Sequence, residues 1–253
     1  MGKKILFKNT AEKKGRNVFQ TPENSYLKYL SCARIILDNE VPKVEVETKK
    51  NEFGLIVING EGVANIEGKT FNLKKFDALY LPPGTKYVLE TETNLDVAEC
   101  QSPAEKGDSV KFIPFDEIKN DPNFAVDAGD ATYKRKVYKM IDVNVNAERL
   151  LAGVTIGEPG NWTSWTPHEH TESKEEVYLY IDMPAPAYGV QLVYDDEVDL
   201  AYRVQQDDAV AIHRGFHPNV GIPGCGIKFV WLMAAKRAID DRDWRYMKFQ
   251  EGL

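Results

Sequence analysis

The sequence predicts an all-β protein made of two jelly-roll β-barrels or sandwiches in tandem, with few short helices. Three observations lead there. Apolar residues rarely recur at helical spacing; the chain is cut instead into alternating or continuous apolar runs of about four to eight residues, rich in Val, Ile, Tyr and Phe. Gly, Pro, Asn and Asp separate these runs, as turn residues do. And one segment occurs twice: Asp77-Ala78-Leu79-Tyr80-Leu81-Pro82-Pro83-Gly84 reappears as Asp208-Ala209-Val210-Ala211-Ile212-His213-Arg214-Gly215, at a constant offset of 131 residues.

Taken in order, the runs predict strands over 54–58, 63–66 and 78–81 in the first half, and over 177–181, 190–194, 209–212 and 228–233 in the second. Turn chemistry sits between them in Asn59-Gly60-Glu61-Gly62, Glu67-Gly68-Lys69 and Pro223-Gly224. Upstream of each repeated segment lies a glutamate that opens a strand, Glu52-Phe53-Gly54-Leu55 in one half and Glu176-Val177-Tyr178-Leu179 in the other. The acidic, Asn-rich stretch 115–130 is the most linker-like, so the expected units are residues 1–130 and 131–253.

Composition narrows the function classes. With 43% hydrophobic and 28% charged residues the 253-residue chain falls outside the disordered and fibrous ranges. Its longest apolar runs, 53–58 and 229–235, are far below the roughly 20 residues of a membrane span. The opening MGKKILFKN carries no apolar h-region, so a cytoplasmic protein with no membrane partner is expected. A net charge of −7, with Lys and Arg interleaved among acids, argues against a nucleic-acid partner. Cys32, Cys100 and Cys225 are far apart and odd in number, which predicts reduced thiols rather than a disulfide framework or a CxxC metal site.

The histidines are more informative. All four, His168, His170, His213 and His217, fall in the second unit. Residues i and i+2 of a strand share a face, so His168 and His170 point two imidazoles the same way. Glu175 or Glu176 follows at the start of the next strand, and only one of these adjacent side chains can face the barrel interior. His217, after the repeated strand and its turn, adds a third imidazole. Three His and one Glu leave open positions on a six-coordinate divalent ion, as a catalytic site requires. HxH alone would be weak; the four-part combination is the signal.

These residues resemble the cupin superfamily, and with two units the chain looks like a bicupin. More narrowly, Gly160-Asn161-Trp162-Thr163-Ser164-Trp165-Thr166-Pro167-His168-Glu169-His170, then Glu175-Glu176-Val177-Tyr178, Gln191, Val193-Tyr194 and Gly215-Phe216-His217-Pro218 resemble the 5-deoxy-glucuronate isomerase family of myo-inositol catabolism. The likeness to 5-keto-4-deoxyuronate isomerase is more distant. The resemblance implies metal ligands at His168, His170, Glu176 and His217. It implies an enzyme that converts 5-deoxy-glucuronate to 2-deoxy-5-keto-gluconate, with zinc the first choice of metal and manganese, iron or nickel the alternatives. Three positions depart from the family pattern: His213 stands where Pro is usual, Leu192 where Arg commonly follows the Gln, and Met233-Ala234-Ala235 where Met-Ala-Gly is usual. His213 reads as a structural or supporting residue.

An aldose–ketose isomerase moves a proton between adjacent carbons through an ene-diolate, and needs an acid and a base near the metal. Glu175, Tyr178, Tyr180 and Tyr194 are the candidates. A uronic-acid carboxylate needs a cation, for which Arg214, Lys228, Arg135 and Lys136 are available, and Gln191 is placed to bind sugar hydroxyls. The first unit is the control. It has Glu45-Val46-Glu47 in place of HxH and Lys86 in place of His217, so Glu45, Glu47 and Glu52 are expected to pair with Lys86 in a structural, metal-free barrel. Two other readings use the same residues: a cupin dioxygenase with a redox metal, and a non-catalytic sugar-binding bicupin. A homo-oligomer is expected, since barrel edges need covering.

Overall fold

A computed structural model describes residues 2–107 and 109–253. Each expected strand is present and most are longer. The run 54–58 lies inside Asn51–Gly60, 177–181 overlaps Lys174–Tyr180, and 228–233 lies inside Lys228–Ala235, while Ala78–Leu81 and Ala209–Ile212 match in full. The added end residues stay in the ladder, as Asn51 does opposite Pro103 and Ala234 opposite Leu150. Among the described residues helix is limited to Phe115–Ile118 and two 3-10 turns, Ala238–Arg242 and Trp244–Tyr246. No helix among them is long and apolar enough to cross a membrane.

Each half is a two-sheet barrel. In the N-terminal half a six-stranded sheet runs in the order 111–113, 78–81, 51–60, 94–103, 31–38, 15–20, and a four-stranded sheet runs 43–47, 86–90, 62–66, 69–73. Leu55, Val57, Leu79 and Leu81 of the first sheet close on Ala64, Ile66, Tyr87 and Leu89 of the second, so this interior is solid. In the C-terminal half the large sheet runs 6–7, 209–212, 174–180, 228–235, 150–157, 135–141, 125–128, and its partner runs 162–163, 219–221, 189–194, 199–204. The outer faces of the two large sheets pack against each other, with Ile56, Ala98 and Cys100 from one side meeting Leu150, Val177 and Leu232 from the other. Gly54 permits this approach: a Cβ there would lie 2.9 Å from both Cys100 Sγ and Ile141 Cδ1.

Hydrogen bonding crosses the expected boundary near residue 130. Leu6–Phe7 joins the C-terminal sheet beside Ala209–Ile212, and Lys111–Ile113 holds the matching edge of the N-terminal sheet. The stretch 115–130 is structured rather than linker-like. Phe115 packs edge-on against Phe76 and Tyr138 at 5.3 and 4.9 Å, and Ala125–Ala128 pairs with Arg135–Ile141. Its polar composition hides aromatic anchors.

The registers match the six strands of the N-terminal large sheet to six of the seven in the C-terminal one and correct one equivalence. Phe53 pairs with Leu81 and Glu176 pairs with Ile212, and Leu81 and Ile212 are themselves repeat partners. Phe53 is therefore the counterpart of Glu176, and Glu52 that of Glu175, one residue from the match suggested by the sequence. The free thiols of Cys32 and Cys100 are buried, and burial pushes both well above the ordinary thiol range; Cys225 is only partly buried.

Candidate metal centre

Strand Lys174–Tyr180 decides which glutamate faces inward. Alternation places Glu176, Tyr178 and Tyr180 toward the barrel interior and Glu175, Val177 and Leu179 toward the other half. His168 sits on a two-residue strand, His168–Glu169, paired with Lys248–Phe249 near the chain end. His170 precedes a tight turn whose Ser173 and Lys174 N–H groups donate back to its carbonyl at 3.0 and 2.9 Å. Gly215 brings in His217: at φ 82° it makes a turn that a Cβ would block, 2.6 Å from Tyr194 O. Its N–H donates to Thr171 Oγ1 at 3.0 Å and clips the two histidine segments together.

Each imidazole turns Nδ1 toward a backbone carbonyl: His217 to Gly215 at 2.9 Å, His168 to Thr166 at 3.3 Å, His170 to Lys174 at 3.4 Å. A carbonyl only accepts, so each contact favours hydrogen on Nδ1 and leaves Nε2 as the atom that would turn a lone pair to a cation. Ligand nitrogens of the three rings lie within 4.8 Å of one another. Glu176 Oε2 lies 3.1 Å from His170 Nε2 and 3.3 Å from His217 Nε2. His217 Nε2 is buried and makes no hydrogen bond. Burial, followed by the neighbouring imidazoles, holds His168 down to about 3, and burial lowers His170 as well. Burial alone would push Glu176 up, but the adjacent imidazoles of His170 and His217 hold it down to about 2. Three imidazole nitrogens and a carboxylate oxygen thus converge, and one of the buried nitrogens has no hydrogen-bond partner. That donor set fits a divalent cation.

A scaffold holds it. Gln191 Nε2 donates to His217 O at 2.8 Å, and its Oε1 accepts from Tyr180 Oη at 2.5 Å and from Asn219 Nδ2 at 3.0 Å. Asn219 also meets the Thr163 hydroxyl.

The cluster opens into a cavity of about 390 Å³, lined among others by Arg135, Ser164, Tyr178, Phe229, Trp231 and Trp244. The structure brings His168, His170, Glu176, Tyr178 and, of the four candidate cations, Arg135 to its wall, with His217 buried against Glu176. It does not bring the other expected site residues there. The Glu175 carboxylate faces the N-terminal half and accepts backbone N–H bonds from Lys28, Tyr29 and Leu30 at 2.8, 2.8 and 3.2 Å, which removes it as an acid–base group. Tyr194 faces outward on its strand and donates to Gln250 Oε1 at 2.6 Å. Gln191 is wholly engaged beneath His217 and has no donor left for a sugar. Arg214 forms ion pairs at 2.6 Å with both Asp195 and Glu197 on the surface. Lys228 alternates with Phe229, Trp231 and Met233, which face the cavity, and so points away from it. Lys136 pairs with exposed Asp127 at 3.2 Å. His213 stacks on Tyr26 at 4.8 Å, away from the centre.

Sequence reasoning missed three contributions. Ser164, inside the Asn161–Trp165 block, bonds to Tyr178 Oη at 2.8 Å. Trp244 and Met247 reach the cavity from the C-terminal segment, whose irregular backbone carries no periodic signal. The Lys28–Leu30 partner of Glu175 lies too far along the chain for any local pattern to reveal.

A family model described as the KduI/IolB family matches residues 5–251. A 5-deoxy-glucuronate isomerase from Geobacillus kaustophilus is 25% identical, over 97% of this chain and 92% of its own length. A 4-deoxy-L-threo-5-hexosulose-uronate ketol-isomerase from Enterococcus faecalis is 29% identical, over 80% of this chain and 73% of its own. Among solved structures, an IolB-like protein from Salmonella typhimurium superposes with a TM-score of 0.86 at 22% identity, over 98% of this chain and 97% of that one. Oxalate decarboxylase superposes with a TM-score of 0.63 at 14% identity, covering 93% and 78%, which fits the two-barrel architecture of a bicupin.

Proposed function

The chain belongs to the KduI/IolB family and is an isomerase, and on that premise we propose that it interconverts the aldose and ketose forms of a deoxy uronic acid, 5-deoxy-glucuronate in inositol catabolism. The observation that carries this reading is the convergence of three imidazoles, the Glu176 carboxylate and the Tyr178 phenol on one cavity of about 390 Å³, a size suited to a small ligand.

His168, His170, Glu176 and His217 would hold a divalent metal, zinc as the first choice. When bound, such an ion supplies Lewis acidity toward a carbonyl and the hydroxyl beside it. The chain's own residues do the rest. Phe229, Trp231 and Trp244 give the cavity apolar walls that limit water around the reacting carbons. Tyr178 holds a proton at Oη: burial first, then the Glu176 charge, pushes its phenol well above the ordinary range, so it remains neutral at pH 7. Its hydrogen bond with the Ser164 hydroxyl, at 2.8 Å, fixes the phenol oxygen on the wall. Of the expected acid–base residues lying beyond the metal set, Tyr178 alone lines the cavity, which makes it our choice for moving a proton to or from a substrate oxygen. The reading carries with it a cytoplasmic location and a homo-oligomeric state.

The test is an assay of metal-loaded protein on 5-deoxy-glucuronate, with the product followed by NMR in deuterated water. Ketose formation with solvent deuterium entering the adjacent carbon is expected. Oxygen consumption coupled to turnover would replace this reading with the dioxygenase one; bound metal without conversion of any uronate would leave a sugar-binding bicupin.

A further inference from the structure

We propose that Arg135 binds the carboxylate of the substrate and makes the cavity selective for sugar acids over neutral sugars; the inference rests on the sugar-acid reading of the same site. None of the side chains lining the cavity is a better candidate. Arg135, Val137 and Lys139 alternate onto the cavity wall from strand Arg135–Ile141. The Arg135 guanidinium is half-buried and donates to two backbone carbonyls, Tyr133 O at 3.0 Å and Trp165 O at 2.5 Å. A guanidinium carries five N–H donors in a rigid fork, so donors remain for a ligand. Among the described residues no carboxylate forms an ion pair with it.

Four of the nine arginines, Arg135, Arg149, Arg203 and Arg242, form no ion pair among the described residues, and of these four Arg135 alone lines the cavity. Arg34 holds Asp96 and Asp207, and Arg16 holds Glu99. Lys139, also on the cavity wall, lies 3.6 Å from Asp142. Arg242 is likewise held by carbonyls, of Leu150, Ala147 and Asp142, but it lies off the cavity, with the charges of Glu52 and Asp142 close enough to favour its cationic form. Arg135 has only the phenols of Tyr178 and Tyr133 near it, and burial lowers its pKa accordingly. A half-buried cation without an anion, fixed by two carbonyls and open to a ligand-sized cavity, is arranged to receive one, and a planar carboxylate matches its fork.

The placement also links the two ends of the site. Trp165, which accepts from Arg135, follows Ser164, which bonds to Tyr178. An anion seated on Arg135 is thereby held in register with the phenol.

Calorimetric binding of D-glucuronate and D-glucose to metal-loaded wild type, Arg135→Met and Arg135→Lys tests this. Wild type is expected to prefer glucuronate. Arg135→Met is expected to weaken glucuronate by about 10- to 100-fold, leaving glucose binding and metal content unchanged, with Arg135→Lys intermediate because it keeps charge without the fork. The proposal is overturned if wild type shows no preference, or if Arg135→Met keeps the preference, as it would if the metal alone received the carboxylate. Should Arg135→Met fail to fold, a wild-type preference retained in Arg135→Lys at full strength overturns it equally. Glucuronate binding that depends on Arg135, in a protein that isomerises no uronate, would sink the isomerase reading and leave this assignment standing.

Discussion

Two adjacent positions in the two halves behave in opposite ways. Glu52 and Glu175 are repeat counterparts and do the same work. Glu52 is buried and accepts N–H bonds from Glu148, Arg149 and Leu150 at 2.8, 2.6 and 2.9 Å, at the start of strand Leu150–Gly157. Glu175 is buried and accepts from Lys28, Tyr29 and Leu30, at the start of the equivalent strand, Ser31–Asp38. Each half thus clasps the backbone of the other, and the counterparts Arg149 and Tyr29 stack across the pseudo-twofold axis at 4.8 Å. The next residue breaks the symmetry. Glu176 points into a cavity among three imidazoles, whereas Phe53 points into a filled core. Duplication kept the glutamate that joins the barrels, and the neighbouring position differs between a barrel that holds chemistry and one that holds shape.

The HxH segment differs in the same sense. Glu45 and Glu47 of strand Lys43–Glu47 are exposed while Val44 and Val46 turn inward onto the core. The expected cluster of Glu45, Glu47 and Glu52 around Lys86 does not form: Glu52 lies at the interface between barrels, and no ion pair joins Lys86 to any of them among the described residues. One flipped face separates a ligand pair from two solvated acids.

The largest effect should come from the asymmetric position. His217→Ala or Glu176→Gln should abolish stoichiometric metal binding in elemental analysis and cut isomerase turnover by roughly 10³-fold or more. Chelation of the wild type should do the same, reversibly. Glu45→Ala with Glu47→Ala should change neither; loss of metal or activity in that double variant would show that the N-terminal barrel is not inert.

Next in size is the symmetric position. Removing a buried carboxylate that accepts several backbone N–H groups leaves those donors unpaired, at a cost of about 3–5 kcal/mol. Glu52→Ala and Glu175→Ala should therefore destabilise to a similar degree in denaturant unfolding. Glu52→Ala should keep its full complement of metal, since it touches no residue of the centre. A loss below about 1 kcal/mol in Glu52→Ala would show that the two clasps are not equivalent.

Much of this was legible in the sequence because it is local or periodic. Strand alternation separates Glu176 from Glu175, the repeat reveals two barrels, and His168, His170 and His217 cluster by spacing. What was not legible depends on distant partners. Nothing near Glu175 marks it as bound to Lys28–Leu30, and nothing near Tyr194 indicates that its hydroxyl is taken by Gln250. Arg214 and Arg135 look alike as cations in the sequence. Only the fold gives one of them two surface acids and the other none.

The smallest effect expected here concerns Tyr178, whose counterpart by register is Leu55. Tyr178→Phe keeps the ring, which stacks on Phe229 at a centroid distance of 4.2 Å, and deletes only Oη and its bond to Ser164. It moves the functional barrel one atom toward the structural one. Stability should fall by only about 1 kcal/mol, the net worth of one hydrogen bond, and metal content should stay whole because Tyr178 is no ligand. If the phenol moves a proton during turnover, kcat should drop by about 10²-fold with KM nearly unchanged, the size and pattern of a lost acid–base group. Ser164→Ala, which leaves the phenol but removes its guide, should cost less. A kcat within twofold of wild type in Tyr178→Phe would place the proton-moving group elsewhere on the cavity wall, and would make the tyrosine a packing residue like the leucine in the other barrel.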